Sequence, residues 1–316
     1  MLLACALLAG CADEPASATT EYSDFEVRQT LPTPLQAADL GLDWDVMDAA
    51  ATSLRWRVVE AGGTVQAAAC TGSGSGSGSP TVVYLDGLGS PAAVFWAHIA
   101  VQQAASTRTC VFDRPGVGLS PARSDATVTT DPRRHVEEMT ALLAALGEPG
   151  PYVLVGWSYG GFVARVAAAL TSQVAGLVLV DHLSPMTAGS DVLEDGADPG
   201  VLHEADQPID VRAIAQEVGS GPSLGDMPVV VLARGERHPG EPAADWASWR
   251  RQQEQAASIS TNAVHVAVTG SDHAIPVRNP AVIVAATRAV TDSVRAGNSP
   301  LGPCLRGLSE LSLSCS

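Results

Sequence analysis

Short apolar runs alternate with amphipathic stretches of helical length along most of the chain. The apolar runs predict buried strands, and the amphipathic stretches predict helices. Strands that alternate with helices are typical of a parallel sheet covered by helices on both faces, so we expect an α/β fold. The predicted strands are 81–85, 108–112, 152–155, 176–180, 228–232 and 264–268, and the predicted helices are 92–105, 133–146, 162–170, 244–257 and 280–295.

Three segments depart from this alternation. Residues 54–60 and 64–70 alternate apolar and polar positions on either side of two glycines, which predicts an antiparallel hairpin. The Gly/Ser repeat at 72–79 predicts a flexible loop between strands. Residues 183–226 are rich in Asp, Glu, Gly and Pro, and we expect a short insertion there, with a helix over 211–218.

The two ends of the chain differ from the rest. Residues 1–11 are apolar and end in small residues, which indicates an export signal. Leu8-Ala9-Gly10-Cys11 resembles the lipobox of bacterial lipoproteins, so Cys11 is a candidate lipidation site and membrane anchor. We expect an extracytoplasmic protein, either anchored or secreted. A polar tether is predicted over 12–40, the main domain over 41–297 and a tail over 298–316.

Composition limits the size of the fold and the kinds of partner. With 316 residues, of which 46% are hydrophobic and 16% charged, the chain can bury a large core as one domain. The formal net charge of −16 disfavours nucleic acid and anionic membrane surfaces as partners, because both would repel the protein.

The cysteines fit an exported protein. Beyond residues 1–11 the chain has Cys70, Cys110, Cys304 and Cys315, an even number that permits disulfides in an oxidising compartment. Three pairings are possible, and we favour Cys70 with Cys110 and Cys304 with Cys315 over free thiols. No Cys/His spacing resembles a zinc site, so we expect no metal.

A candidate nucleophile stands at the centre of the chain. The run Tyr152-Val-Leu-Val-Gly-Trp-Ser-Tyr-Gly-Gly161 is an apolar strand that leads into G-x-S-x-G and then into a helical stretch. In this context Ser158 is predicted to stand on a sharp strand-to-helix turn, a nucleophile elbow. The backbone N–H of Tyr159 opens the helix and is predicted to point to the place where an oxyanion forms.

Three further segments occur in an order that, with the elbow, resembles α/β-hydrolases over residues 54–295. They are Asp86-Gly-Leu-Gly89, Phe112-Asp-Arg-Pro-Gly-Val-Gly-Leu-Ser120 and Gly270-Ser-Asp-His273. The resemblance implies a mostly parallel sheet, a short cap at 183–226, and the N–H of Leu88 as second oxyanion donor. It implies no cofactor. Asp86 stands where the family usually has His.

The resemblance and the chain order together suggest the other catalytic groups. His273 alone among the histidines follows the last predicted strand in a turn of small residues, so we expect it to be the general base. The usual position of the acid reads Gly235-Glu-Arg-His238, with His where Asp is expected. We therefore favour Asp181, at the end of the preceding strand, over Glu236, while Asp191, Glu194 or Asp195 of the insertion remain further alternatives.

Together these residues predict a serine hydrolase acting on a small-molecule acyl substrate, most simply a carboxylic ester, through an acyl-enzyme. A serine nucleophile argues against dehalogenase or epoxide hydrolase chemistry. Trp157 and Met186 are candidate pocket residues, with packing as the alternative. Peptidase, thioesterase, lactonase and C–C hydrolase activities stay open because the triad does not select the substrate. A non-catalytic surface lipoprotein is the remaining alternative.

Overall fold

The computed structural model describes residues 20–74, 78–125, 127–185, 201–205, 207–219, 223–302 and 314–315. Its strands are β1 (Arg57–Ala61), β2 (Thr64–Thr71), β3 (Thr81–Leu85), β4 (Thr109–Phe112), β5 (Tyr152–Trp157), β6 (Val174–Val180), β7 (Val201–Glu204), β8 (Gln207–Asp210), β9 (Val229–Arg234), β10 (Ala263–Val268) and β11 (Ser314–Cys315). Nine of them form one sheet in the order β1-β2-β4-β3-β5-β6-β9-β10-β11, and β7 pairs with β8 apart from it.

Helices cover both faces of this sheet, as the alternating pattern predicted. They are α1 (Asp24–Gln29), α2 (Pro34–Leu40), α3 (Trp44–Ser53), α4 (Ala92–Phe95), α5 (Ala97–Gln103), α6 (Pro132–Ala145), α7 (Tyr159–Leu170), α8 (Arg212–Gly219), α9 (Ala243–Ala256), α10 (Ile275–Arg278) and α11 (Pro280–Arg295). One apolar core lies between the sheet and α3, α4, α5 and α11, and a second lies between the sheet and α6, α7 and α8.

The parallel strands end at a common edge, which assembles the site. β4, β3, β5, β6, β9 and β10 run parallel to their neighbours in that order, and β1, β2 and β11 add antiparallel edges. In register, Gly156 of β5 lies between Leu85 of β3 and Leu179 of β6. Ligand sites in open α/β sheets lie at the carboxyl ends of the strands, and these three residues stand near that edge.

The N-terminal region corrects one prediction. Residues 12–40 were expected to be a polar tether, but the described part from residue 20 is helical and packed, with Val27 and Ala37 buried. Capping boxes start both short helices: Ser23 pairs with Glu26, and Thr33 pairs with Gln36. Polar residues that suggested a tether therefore cap and solvate two helices, each of which buries a single apolar side chain and leaves Phe25, Leu35 and Leu40 exposed.

The insertion at 183–226 is only partly as expected. The predicted helix over 211–218 is confirmed as α8, shifted by one residue. The antiparallel hairpin of β7 and β8 was not predicted, because its two strands are only four residues long. Thr130 forms an isolated bridge with Ile209, which ties the hairpin to the main domain. We call β7, β8 and α8 the cap.

Several sequence predictions concern residues outside those that the structure describes. Cys11, Met186 and Cys304 lie outside the described residues, and so do the proposed export signal and residues 75–77 of the Gly/Ser loop. β11 pairs with β10 through Cys315 and Ser314, so this part of the predicted tail extends the sheet. In the described part of the chain, no helix is both long and apolar enough to cross a membrane.

Cys70 and Cys110 form a disulfide, as favoured from the sequence. They stand directly opposite each other in the antiparallel pair β2 and β4, with their Cα atoms 4.1 Å apart. The bond closes a loop with a sequence separation of 40. Because the loop contains β3 and α5, the link restrains a large part of the first half of the sheet.

We predict that replacing both Cys70 and Cys110 by Ala lowers the free energy of unfolding by about 2–4 kcal/mol, since the unfolded chain regains the entropy of the open loop. Urea unfolding of both proteins measures the difference. Under reducing conditions the two proteins should unfold at similar urea concentrations. Peptide mapping that recovers both cysteines as free thiols from the native protein would contradict the disulfide.

Candidate active site

Ser158 stands on a strained turn between β5 and α7. Its backbone has φ 53° and ψ −120°, a region that residues with a side chain seldom adopt. The turn is held on both sides, because the Ser158 N–H donates to the Val180 carbonyl at 3.0 Å and its carbonyl accepts from the Leu183 N–H at 2.9 Å. The side chain is therefore presented, partly exposed, at the edge of the sheet.

Glycines permit this turn because the backbone comes too close for any side chain. A Cβ on Gly156 would overlap the backbone of Gly160 and Gly161. A Cβ on Gly160 would overlap the carbonyl oxygens of Leu85 and Asp86. The G-x-S-x-G pattern thus reflects two steric requirements of the elbow.

His273 lies in the turn between β10 and α10, and Asp181 lies directly after β6. The His273 Nδ1 is 2.6 Å from the Asp181 Oδ2. Asp181 is fully buried, whereas the His273 side chain is one-third exposed. With Nδ1 engaged by the carboxylate, the imidazole keeps Nε2 for proton exchange with a reacting group.

Hydrogen-bond donors fix the orientation of the Asp181 carboxylate. Its Oδ1 accepts from the Arg234 backbone N–H at 3.0 Å and from the Trp249 Nε1–H at 3.1 Å. The Arg234 guanidinium lies 3.9 Å from the other oxygen. Asp181 itself has φ 38°, and its N–H donates to the Leu232 carbonyl. Groups from β9 and α9 therefore hold the acid toward His273.

The position after β9, where the resemblance places the usual acid, is organised differently. Glu236 is exposed there. His238 is bonded through Nε2 to the Arg234 Nη1 at 2.6 Å, and Glu241 accepts from the same guanidinium. Burial and the Arg234 charge lower the pKa of His238, which fits a neutral ring accepting from arginine. Of the two carboxylates weighed from the sequence, only Asp181 is bonded to His273.

The two predicted oxyanion donors belong to the helix after Ser158 and to the loop after β3. Tyr159 is the first residue of α7, and the first N–H groups of a helix have no partner within the helix. Leu88 lies in a β-turn closed by a bond of 3.2 Å from the Ser90 N–H to the Gly87 carbonyl, with Gly89 at φ 64°. We call residues Asp86 to Ser90 the oxyanion loop.

A buried charge cluster lies beneath the oxyanion loop. Arg114 and Glu204 form an ion pair at 2.5 Å, and both are almost inaccessible to solvent. Burial alone would raise the pKa of Glu204, but Arg114 outweighs this effect and holds it at about 2. Burial and the neighbouring Asp113 raise the pKa of Asp86 well above its usual range. Arg114 lies in the segment Phe112 to Ser120 that carries part of the family resemblance, whereas no sequence pattern indicated a role for Glu204.

Trp157 contributes to the site mainly by packing. Only 7% of its surface is exposed, and its Nε1–H donates to the His273 carbonyl at 2.8 Å. Its ring lies 5.2 Å from the His273 ring and 5.1 Å from that of Phe95, measured between centroids. The residue predicted to line a pocket therefore supports the turn that carries His273.

A family model described as the alpha/beta hydrolase fold matches residues 80–280, which include the elbow, the oxyanion loop and His273. The chain belongs to this family. Solved α/β-hydrolase-like structures share its fold at low sequence identity. A bacterial membrane phospholipase A has a TM-score of 0.55 at 17% identity and covers 86% of this chain and 96% of its own. An esterase of Rhodococcus sp. ECU1013 has a TM-score of 0.55 at 20% identity, covering 77% and 99%.

Curated relatives match shorter segments of this α/β-hydrolase. A pimeloyl-[acyl-carrier protein] methyl ester esterase of Chromobacterium violaceum is 42% identical over 104 residues, which is 32% of this chain and 36% of that protein. An uncharacterized protein of Schizosaccharomyces pombe is 40% identical over 85 residues, 26% of this chain and 15% of that protein. The chain thus aligns with well under two thirds of either relative.

We predict that Asp86→Asn stabilises the hydrolase more at neutral pH than at acidic pH. Asp86 keeps its proton in the folded protein up to a higher pH than in the unfolded chain. The stability supplied by the neutral carboxyl is therefore complete at low pH and decreases as the pH rises through that interval. Asn is neutral throughout, so its advantage should grow by up to about 1.4 kcal/mol per pH unit.

Urea unfolding of both proteins at about pH 5 and about pH 7.5 measures this difference in the free energy of unfolding. Asp245→Asn, on the exposed side of α9, controls for the loss of one negative charge. A stability difference between Asp86→Asn and the wild type that is the same at both pH values would show that Asp86 is ionised in the folded protein.

Proposed function

We propose that the protein is a serine hydrolase that cleaves a carboxylic ester through an acyl-enzyme. Ser158 is the nucleophile, His273 the general base and Asp181 the acid. The observation that carries the proposal is the 2.6 Å contact between the Asp181 Oδ2 and the His273 Nδ1, at the same sheet edge as the strained Ser158 elbow. A buried carboxylate, an imidazole bonded to it and a partly exposed serine hydroxyl are the three groups of a catalytic triad.

The proposed reaction uses each group in turn. His273 Nε2 removes the Ser158 proton as the hydroxyl oxygen attacks the ester carbonyl carbon, and Asp181 holds the ring tautomer and stabilises the imidazolium. The N–H groups of Leu88 and Tyr159 stabilise the oxyanion of the tetrahedral intermediate. The imidazolium then protonates the leaving alcohol. Water, activated by His273 in the same way, releases the acid and restores Ser158.

Relatives support an ester as the substrate. The Chromobacterium protein is a methyl ester esterase and the Rhodococcus structure is that of an esterase. The first shares sequence over 104 residues with this chain and the second shares its fold, while the acyl and alcohol groups are set by the pocket. A series of p-nitrophenyl esters with increasing acyl length measures the preference directly.

The proposal includes an extracytoplasmic location. The Cys70–Cys110 disulfide supports it, because such bonds persist in oxidising compartments. Cys11 is the proposed lipidation site, and it stays a prediction from the sequence. Cell fractionation of wild type and Cys11→Ser tests the anchor: the wild type is expected in the membrane fraction and the variant in the soluble fraction. Equal distribution of both would contradict lipidation at Cys11.

We predict that Ser158→Ala lowers ester hydrolysis by about a million-fold, since triad nucleophiles contribute roughly that factor to turnover. Labelling by a fluorophosphonate probe should disappear in the same variant, and its unfolding temperature should stay close to that of the wild type. Hydrolysis that persists in Ser158→Ala would remove the nucleophile assignment. A wild type that neither reacts with the probe nor hydrolyses any ester would support the non-catalytic alternative.

We predict that Asp181→Asn lowers kcat by about 10,000-fold, because the amide favours the wrong tautomer of His273 and does not stabilise the imidazolium. Glu236→Gln should change kcat less than about threefold, since exposed charges act only weakly through solvent. Both variants are measured on one p-nitrophenyl ester, and circular dichroism verifies their folding.

The reverse result, a crippled Glu236→Gln and a nearly normal Asp181→Asn, would place the acid after β9. Full activity of both variants would leave a Ser–His dyad or a carboxylate of the insertion as the remaining mechanism. In either case the contact between Asp181 and His273 would be structural.

A further inference from the structure

The two peptide groups on either side of Leu88 are held by one buried ion pair. Arg114 donates through Nη2 to the Gly87 carbonyl at 2.7 Å and through Nη1 to the Asp86 carbonyl at 2.9 Å. Glu204 of β7 accepts from the Gly89 N–H at 2.8 Å. Arg114 and Glu204 bond to each other through two N–H groups of the guanidinium, at 2.7 and 2.5 Å.

This arrangement determines the direction of the Leu88 N–H. A trans peptide is planar, with its C=O and N–H pointing to opposite sides. Because Arg114 and the Ser90 N–H both bind the Gly87 carbonyl, the Leu88 N–H of the same peptide must point away from them. The Gly89 N–H is fixed in the same manner by Glu204, so the loop cannot rotate either peptide without breaking a charge-assisted bond.

Arg114 also contacts the side chain of Tyr159, the residue whose backbone N–H is the second proposed oxyanion donor. Its guanidinium carbon lies 5.4 Å from the centre of the Tyr159 ring, and Tyr159 supplies the first N–H of α7. One buried side chain thus contacts the oxyanion loop, the start of the helix after Ser158 and the cap. Glu204 lies 90 residues further along the chain than Arg114, so only the docked hairpin brings the pair together.

We propose that Arg114 and Glu204 are positioning residues that hold the oxyanion loop in its catalytic conformation, so that docking of the cap hairpin completes the oxyanion hole. This inference rests on the proposed serine hydrolase function. Neither residue touches the reacting atoms in the mechanism given above. Their effect is to orient the Leu88 N–H before the substrate arrives, which is how preorganised donors lower a barrier.

A second buried ion pair provides a matched control. Arg123 pairs with Glu138 of α6 and also bonds to Gln207 of β8, and both charged side chains are almost inaccessible. This pair therefore anchors the same hairpin from its other strand. Among the described residues, its hydrogen bonds go to Gln207 and Arg134 and not to the oxyanion loop. Without Arg123 and Glu138, β7 stays docked through Arg114 and Glu204 and the oxyanion loop stays held. Loss of Arg114 and Glu204 releases the loop.

The experiment compares two double variants, Arg114→Met/Glu204→Met and Arg123→Met/Glu138→Met. Replacing both partners of a buried pair by apolar residues avoids an unpaired buried charge and often leaves stability nearly unchanged. For the first variant we expect kcat for a p-nitrophenyl ester to fall about 100- to 1,000-fold with little change in KM, as when one oxyanion donor is lost. The second variant should stay within about threefold of the wild type in kcat.

A transition-state analogue separates positioning from a general structural defect. Trifluoromethyl ketones form a hemiketal oxyanion on the serine, so their inhibition constant should rise in Arg114→Met/Glu204→Met by the same factor by which kcat/KM falls. If the double variant does not fold, Glu204→Gln replaces it. Its amide oxygen still accepts from the Gly89 N–H without the charge, and kcat should fall about tenfold.

Three results would overturn the inference. These are wild-type kcat in the folded Arg114→Met/Glu204→Met variant, an equal loss of kcat in both double variants, or lower kcat with an unchanged inhibition constant for the ketone. A wild type that fluorophosphonate does not label would instead remove the serine hydrolase assignment, and the inference with it.

Discussion

The close approach of backbone to backbone at the elbow is the constraint on which the rest of the site depends. Gly160 lies against the carbonyls at the end of β3, and Gly161 lies against the Cβ of His182 after β6. A side chain at either position would push one of these strand ends away. The elbow therefore sets two distances at once. One is from Ser158 to the oxyanion loop, and the other is from Ser158 to the Asp181 segment.

Buried polar groups then orient what the elbow has brought together. Asp181 accepts from a backbone N–H and an indole, Asp113 accepts from the N–H groups of Ala92 and Leu119, and Arg114 pairs with Glu204. Removing such charges from water costs several kcal/mol per ion, so buried pairs add little to stability by themselves. Their contribution is to fix the orientation of the loops that they bind, because each hydrogen bond is accepted or donated along a defined axis. The structure accordingly concentrates them at the loops that carry the candidate site.

Much of this arrangement was predictable because it is encoded locally. Apolar runs predicted the central strands to within about two residues, and the G-x-S-x-G pattern in its strand-to-helix context predicted the strained turn at Ser158. The vacancy at His238 pointed to Asp181, which the structure places against His273. The strand and elbow predictions succeeded because one short segment contained the whole signal, whereas the catalytic role of Asp181 stays a prediction.

The predictions that failed concern features set by distant partners. Helices α1 and α2 have six and seven residues, too short to be stable alone, and they form because capping and packing on the core support them. No local sequence pattern indicates the role of Glu204, because that role depends on its bonds to Arg114 and Gly89, which are far away in the chain. Tertiary contacts of this kind leave no periodic trace in a single sequence.

The contacts that attach the cap to the main domain also hold the oxyanion loop, so the position of the cap affects the proposed catalytic step. The hairpin packs Leu202 and Ile209 into the core, and it is also held by Arg114–Glu204 and by Arg123 with Glu138 and Gln207. Undocking would expose both the apolar side chains and these charges to water. Hydration of those charges offsets part of the lost pairing, so undocking is less costly than burial alone implies. Undocking also removes the partner of the Gly89 N–H. In the proposed mechanism, the oxyanion loop is therefore held in its catalytic conformation only while Glu204 of the docked hairpin binds the Gly89 N–H, which makes hairpin docking a step of the catalytic cycle.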